Sequence, residues 1–268
     1  MVKFAPNLFF MYRDLAPLDR FAQARADGFG HVELCYLDDL DIGEVKRALD
    51  DAGQTLLSFN FPPGPVEPGV SRGLSAVPGR ENEFRELVDQ GIEWAVALGA
   101  DQALFPLAGL RPEGVSLEGC EATLIANLTS ILPKLEAAGL TLLVEPHCSK
   151  DFPGYIIDKM DQARRIVDAL GSPHLRILLD TYHTQRMEGD LTGQLDRHLD
   201  VIAHIQVGNP PGRHEPDQGE VNHRYFFQLL DRMGYTSWIA GEYFPADDGP
   251  GGSSKRLGWI EEWGIEVE

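Results

Sequence analysis

The sequence predicts a single α/β domain, a (β/α)8 or TIM barrel spanning residues 1–268, and three observations lead there. Eight short β-like runs recur along the chain, helical segments separate them, and 268 residues suit a fold that typically takes about 250. A doubly wound open sheet is the structural alternative, but no glycine-rich dinucleotide loop follows the first run.

The runs are recognised by four to seven residues of β-branched, aromatic or leucine content, and the helical segments by apolar residues at three- and four-residue spacing. FAPNLFF (residues 4–10) leads into LDRFAQARADG (18–28), and HVELCY (31–36) into IGEVKRALDDAG (42–53). TLLSFNF (55–61) precedes EFRELVDQGIEWAVALGA (83–100), and QALFPL (102–107) precedes LIANLTSILPKLEAAG (124–139). TLLVEP (141–146) is followed by DQARRIVDALG (161–171), RILLDT (176–181) stands next, VIAHIQV (201–207) leads into YFFQLLDRMG (225–234), and SWIAGEY (237–243) is the eighth run. Several helical segments end in glycine, the expected stop signal. Proline- and glycine-rich stretches at 61–79, 208–219 and 245–254 follow runs three, seven and eight. In a barrel these are loops of the C-terminal face, where active sites are built.

A formal net charge of −19 and a pI near 4.7 repel phosphate backbones and anionic membrane surfaces, so neither nucleic acid nor a membrane is an expected partner. Cys35, Cys120 and Cys148 are odd in number and widely spaced, which suggests neither a disulfide framework nor a zinc ribbon. They read as small apolar fillers in a cytoplasmic protein. No run of about 18 apolar residues occurs, and Arg13 and Asp14 interrupt the N-terminal apolar patch too early for a signal sequence.

Chemistry gathers at the strand ends. Run five finishes on Glu145, after three apolar residues and before a proline; run six on Asp180; run seven contains Gln206; run eight finishes on Glu242. Carboxylates are rarely buried unpaired, and three converging at one barrel mouth cannot all stay ionised unless a cation holds them. A metal ion is therefore expected, and an all-oxygen ligand set favours Mg2+ or Mn2+ over Zn2+. His183 lies three residues beyond Asp180 and can turn back toward the same mouth, while His204 reads as a satisfied interior histidine. Asn7, Glu33 and Asn60 are further polar residues in the earlier strands, with Glu33 either in the pocket or facing a helix.

The stretches VSRGLSAVPGRENEFR (70–85), FPGY (152–155), LLDTYHTQRMEGDL (178–191), HIQVGNPPGRHEPDQGEVN (204–222) and GEYFP (241–245) resemble the hydroxypyruvate and 2-oxo-tetronate isomerases, xylose-isomerase-like barrels. The resemblance runs over nearly the whole chain. It implies that Glu145, Asp180, Gln206 and Glu242 are metal ligands and that Glu145 and Glu242 are the acid/base pair. The sequence departs from that pattern at His147, Cys148 and Ser149, after the run-five EP, and at Phe59.

The implied reaction interconverts a 2-hydroxy aldehyde and a 2-oxo compound by proton transfer between neighbouring carbons, with a metal stabilising the enediolate oxygens and two glutamates exchanging the proton. A small hydroxy-oxo acid is the expected substrate, its carboxylate met by an arginine among Arg72, Arg80, Arg186 and Arg213, the last beside His214; His183, Asn60, Arg213 and Arg72 are the expected substrate-binding residues. A ketose 3-epimerase on a neutral sugar and a non-catalytic barrel binding metal or sugar acid are the alternatives. An endonuclease-IV-like phosphodiesterase needs a histidine-rich multi-zinc cluster and a basic face that this sequence lacks.

Overall fold

The computed structural model describes residues 2–37, 40–65, 72–100, 102–104 and 108–268. The tail of the run expected at 102–107 and the middle of the 61–79 loop lie outside these residues. Eight strands are present, β1 (Lys3–Pro6), β2 (His31–Val32), β3 (Thr55–Leu56), β4 (Gln102–Leu104), β5 (Thr141–Val144), β6 (Leu175–Asp180), β7 (Ile202–Val207) and β8 (Trp238–Gly241). Each coincides with one of the expected runs. Six of them pair in the order β1-β8-β7-β6-β5-β4 and β2 pairs with β3, every ladder being parallel. A parallel bridge between Asn7 and Glu33 joins the two groups. Bonds from Leu34 N to Ser58 O (3.1 Å) and from Asn60 N to Cys35 O (2.9 Å) carry the β2–β3 alignment past its short ladder, to the C-terminal mouth.

Helices α1 (Asp19–Ala26), α2 (Ile42–Ala52), α3 (Glu81–Leu98), α4 (Leu117–Ala138), α5 (Met160–Leu170) and α8 (His223–Met233) lie on the expected helical segments. Their starts and stops follow local chemistry. Asp41 caps α2 by accepting from Glu44 N at 2.9 Å, and Gly53 ends it in the left-handed region at φ 60°. Ser116 caps α4 through Gly119 N, eight residues before the apolar periodicity at Leu124 begins. Gly91 lets α3 approach the barrel: a Cβ there would stand 2.4 Å from Phe61 Cγ.

The sequence did not foretell α6 (Thr181–Met187), α7 (Leu191–His198), α9 (Gly252–Lys255) or α10 (Gly258–Trp263). The α6 segment TYHTQRM has no apolar stripe, and it starts because the Asp180 side chain accepts from Tyr182 N at 2.7 Å. The carboxylate ending β6 therefore also turns the chain into a helix.

Burial divides the interior in two. Among the described residues one large apolar cluster runs from Val2 to Trp259 between strands and helices, and Leu143 and Leu178 form a second cluster. Side chains alternate along a strand, so residues in step with Leu143 and Leu178 share their face: Glu145, Asp180, His204, Gln206 and Glu242. Much of the barrel interior is thus polar. No described helix is long and apolar enough to cross a membrane.

Candidate active site

The strand geometry brings the expected residues together. Glu145 follows β5 and Glu242 follows β8 by one residue, and Asp180 stands directly opposite Gln206 across β6 and β7. One ligand-capable atom from each of Glu145, Asp180, His183 and Glu242 lies within 4.8 Å of all the others, and all four side chains are buried. Gln206 is fully buried, and its Oε1 has no hydrogen-bond partner among the described residues. Among the same residues Glu145 Oε1 is likewise buried without one.

Such a concentration of carboxylate is electrostatically unfavourable. Burial pushes the Glu242 carboxyl well above the usual range, with Glu145 and Asp180 adding to the effect against the opposing influence of Arg213. Burial raises Asp180 as well. Arg213 Nη2 donates to Asp180 Oδ2 at 2.8 Å and to Glu242 Oε2, while its Nε donates to the Glu242 carbonyl at 3.1 Å. One guanidinium offsets one of three negative charges. Two orphaned buried oxygens and an excess of carboxylate fit a hard divalent cation, with Glu145, Asp180, Gln206 and Glu242 as the oxygen donors that would hold it.

His183 stands over this cluster, its Nε2 3.6 Å from Asp180 Oδ2 and 3.8 Å from Glu145 Oε1. Its Nδ1 accepts the Cys148 N–H at 3.2 Å. Burial holds this ring well below its ordinary pKa, with Arg213 and His147 adding to the effect, so it is neutral and carries its proton on Nε2. The ring therefore presents an N–H to the site. His147 Nε2 lies 2.9 Å from Glu145 Oε2, and its ring stacks between Tyr155 and His183 at centroid separations of 4.6 and 4.8 Å.

Above the cluster opens a cavity of about 400 Å³, lined among others by Asn60, Arg72, Glu145, Phe152, His183 and Arg213. The Asn60 Oδ1 is buried there without a partner among the described residues. Arg72 stacks on Phe152 with its guanidinium 3.5 Å from the ring centroid, and no carboxylate among the described residues lies within ion-pair distance of it. Arg213 is taken up by Asp180 and Glu242, and the remaining candidates are engaged elsewhere. Arg80 pairs with Glu83, Arg186 with Asp151, and His214, whose Nδ1 lies 2.8 Å from Phe244 O, faces an adjacent cleft.

The sequence reading missed two features. His147 was noticed only as a departure near the substrate, although its position two residues after Glu145 places both on one face. Alternation alone leaves Glu33 between pocket and helix; it points into the barrel axis, against His204 and Gln206. All three cysteines are free and buried as expected; Cys35, however, also borders the cavity, its Sγ 3.7 Å from Glu242 Oε1.

Barrel and site together define a protein that gathers buried carboxylates for small-molecule chemistry at a strand-end mouth. The family model described as xylose isomerase-like TIM barrel matches residues 21–263. The chain belongs to that family, among its hydroxypyruvate and 2-oxo-tetronate isomerases. It is 40% identical to the 2-oxo-tetronate isomerase of Cupriavidus necator over 98% of this chain and 99% of that one. It is 37% identical to the hydroxypyruvate isomerase of Escherichia coli, over 91% and 94%. Among solved structures, a Brucella melitensis protein described as an AP endonuclease of family 2 superposes with a TM-score of 0.91 at 37% identity, covering 98% of this chain and 99% of that one.

Proposed function

We propose that this protein is a metal-dependent isomerase that interconverts hydroxypyruvate, or a related 2-oxo-tetronate, with its semialdehyde or 3-oxo isomer. The observation that carries the reading is the pair Glu145 and Glu242, two buried glutamates at one end of the barrel beside Asp180. A divalent cation bound there would supply Lewis-acid stabilisation of the negative charge that develops on the substrate oxygens.

The residues of the chain do the rest. One glutamate takes the proton from the hydroxyl-bearing carbon and the other delivers a proton to the neighbouring carbonyl carbon, while the hydroxyl proton moves to the former carbonyl oxygen. No electrons enter or leave, so no redox cofactor is required. The His183 Nε2–H is oriented to donate to a substrate oxygen, and Asn60 adds a second polar contact. Arg213 holds Asp180 and Glu242 and lines the cavity, which keeps the proton-exchanging carboxylate in one orientation. Arg72, without an anionic partner among the described residues, is suited to receive the substrate carboxylate.

The kinship with hydroxypyruvate and 2-oxo-tetronate isomerases supports the same substrate class, while a net charge of −19 opposes a polynucleotide substrate. The test is proton NMR in deuterated buffer with Mg2+ or Mn2+, following deuterium incorporation into hydroxypyruvate, 2-oxo-tetronates and neutral ketoses. Exchange and product formation confined to the acids support the reading. Faster exchange at C3 of neutral ketoses replaces it with an epimerase.

A further inference from the structure

Below the proposed ligands lies an anion that the proton-transfer chemistry does not use. Glu33 is completely shielded from solvent, and four donors fill its two oxygens. Asn7 Nδ2 at 2.6 Å and Gln206 Nε2 at 2.5 Å reach Oε1; Ser58 Oγ at 2.6 Å and His204 Nε2 at 2.7 Å reach Oε2. The Asn7 and Gln206 amides and the Ser58 hydroxyl all donate to it, and His204 Nε2 closes the set, so both oxygens of Glu33 act as acceptors.

That property settles which way the neighbouring amide points. The atom of Gln206 that meets Glu33 must be its NH2 group, so the opposite atom, Oε1, is turned away from Glu33 and left without a partner. Reversing the amide would set two oxygens against each other and turn a donor toward the carboxylate cluster, where it could ligate nothing. We infer that Glu33 is a positioning residue of the metal centre, fixing Gln206 so that its carbonyl oxygen is available to a divalent cation. The inference rests on the metal-dependent reading above. Asn7 is held in the same way, its Nδ2 on Glu33 and its Oδ1 accepting from Phe9 N at 3.0 Å, so one carboxylate sets two amides. Groups that orient a ligand from behind commonly change metal affinity by about 10- to 100-fold when altered.

The experiment is a titration of the full chain with Mn2+, read by electron paramagnetic resonance, alongside thermal unfolding. Glu33→Gln and Glu33→Asp should each weaken Mn2+ binding by about 10- to 100-fold in folded protein. Ser58→Ala removes one donor from Glu33 without touching Gln206 and should stay within about threefold of the parent. Combining Glu33→Gln with Gln206→Glu restores an amide facing a carboxylate, in the reverse sense, and should recover most of the lost affinity. If Glu33→Gln fails to fold, Glu33→Asp alone decides. Parent-like affinity in the Glu33 variants, an equal loss in Ser58→Ala, or no recovery in the double variant overturns the inference and leaves the metal reading standing. A parent that binds no Mn2+ overturns both.

Discussion

Asp180 and Gln206 are directly opposed residues of neighbouring strands, the last pair in the ladder between β6 and β7. An anionic and a neutral oxygen donor are thereby fixed side by side by backbone pairing. Substituting either proposed ligand should leave the barrel folded and act on metal binding. Asp180→Asn is expected to lower Mn2+ affinity more than Gln206→Asn, because it removes a charge as well as an α6 cap; isothermal titration of the two variants checks the order.

The proposed acid/base pair makes a sharper demand. Glu145→Gln and Glu242→Gln each keep an oxygen but lose the capacity to exchange a proton at neutral pH. Deuterium exchange into substrate should drop by at least about 100-fold in each, with the fold retained. A variant keeping more than about a tenth of parental exchange loses under about 1.4 kcal/mol, too little for an essential base.

Arg72 should act on binding rather than on chemistry. Replacing it by alanine removes a charge-assisted contact of about 1.5–3 kcal/mol, which raises KM for hydroxy-oxo acids by roughly 10- to 100-fold with kcat little changed. Neutral ketoses should show no such penalty. Equal effects on acids and ketoses would assign Arg72 to packing against Phe152 alone.

His223 supplies a pH dependence away from the carboxylates. Its ring is buried, with Nε2 2.9 Å from Thr181 Oγ1 and Nδ1 3.3 Å from Pro216 O, an arrangement that suits the neutral form with its proton on Nδ1. Burial lowers its pKa to about 4 from the ordinary 6.5, against the opposing hydrogen bond to Pro216. Since the unfolded chain protonates first, this contribution is fully present above about pH 6.5 and is lost as pH falls toward 4, to a total of about 3 kcal/mol. Urea unfolding between pH 4 and 7 should show that slope, and His223→Gln should flatten it.

Gly91 tests the packing of the outer layer. Alanine is the better helix former by about 1 kcal/mol, yet its Cβ would overlap the Phe61 ring, so Gly91→Ala should destabilise the protein by about 1–3 kcal/mol. The double variant Gly91→Ala with Phe61→Leu should recover part of the loss in thermal unfolding.

Much of this was legible from side-chain pattern alone. All eight strands declare themselves because parallel strands covered on both faces are continuously apolar, and Glu145 stands out because such a run has no other reason to end in a carboxylate. Helix α6 was hidden because its stability comes from the Asp180 cap rather than from an apolar stripe. Glu33 was undecided for a different reason. Alternation places a residue on one of two faces, but the register between β2 and β7, which brings His204 and Gln206 onto Glu33, is a property of barrel closure and has no trace in either run. Among the arginines, sequence alone could not separate Arg72 from Arg80, Arg186 and Arg213, because what distinguishes them is the carboxylate each has already found.

The four proposed ligands all come from β5 to β8, consecutive strands of one continuous ladder, whereas Asn60 and Arg72 follow β3, whose own ladder is only two residues long. The proposed metal ligands and the proposed contact for the substrate carboxylate are thus carried by different stretches of the same wall. On that assignment, a lineage can exchange the segments after β1 to β3, and with them the size or charge of what is admitted, while β5 to β8 keep their oxygens in place.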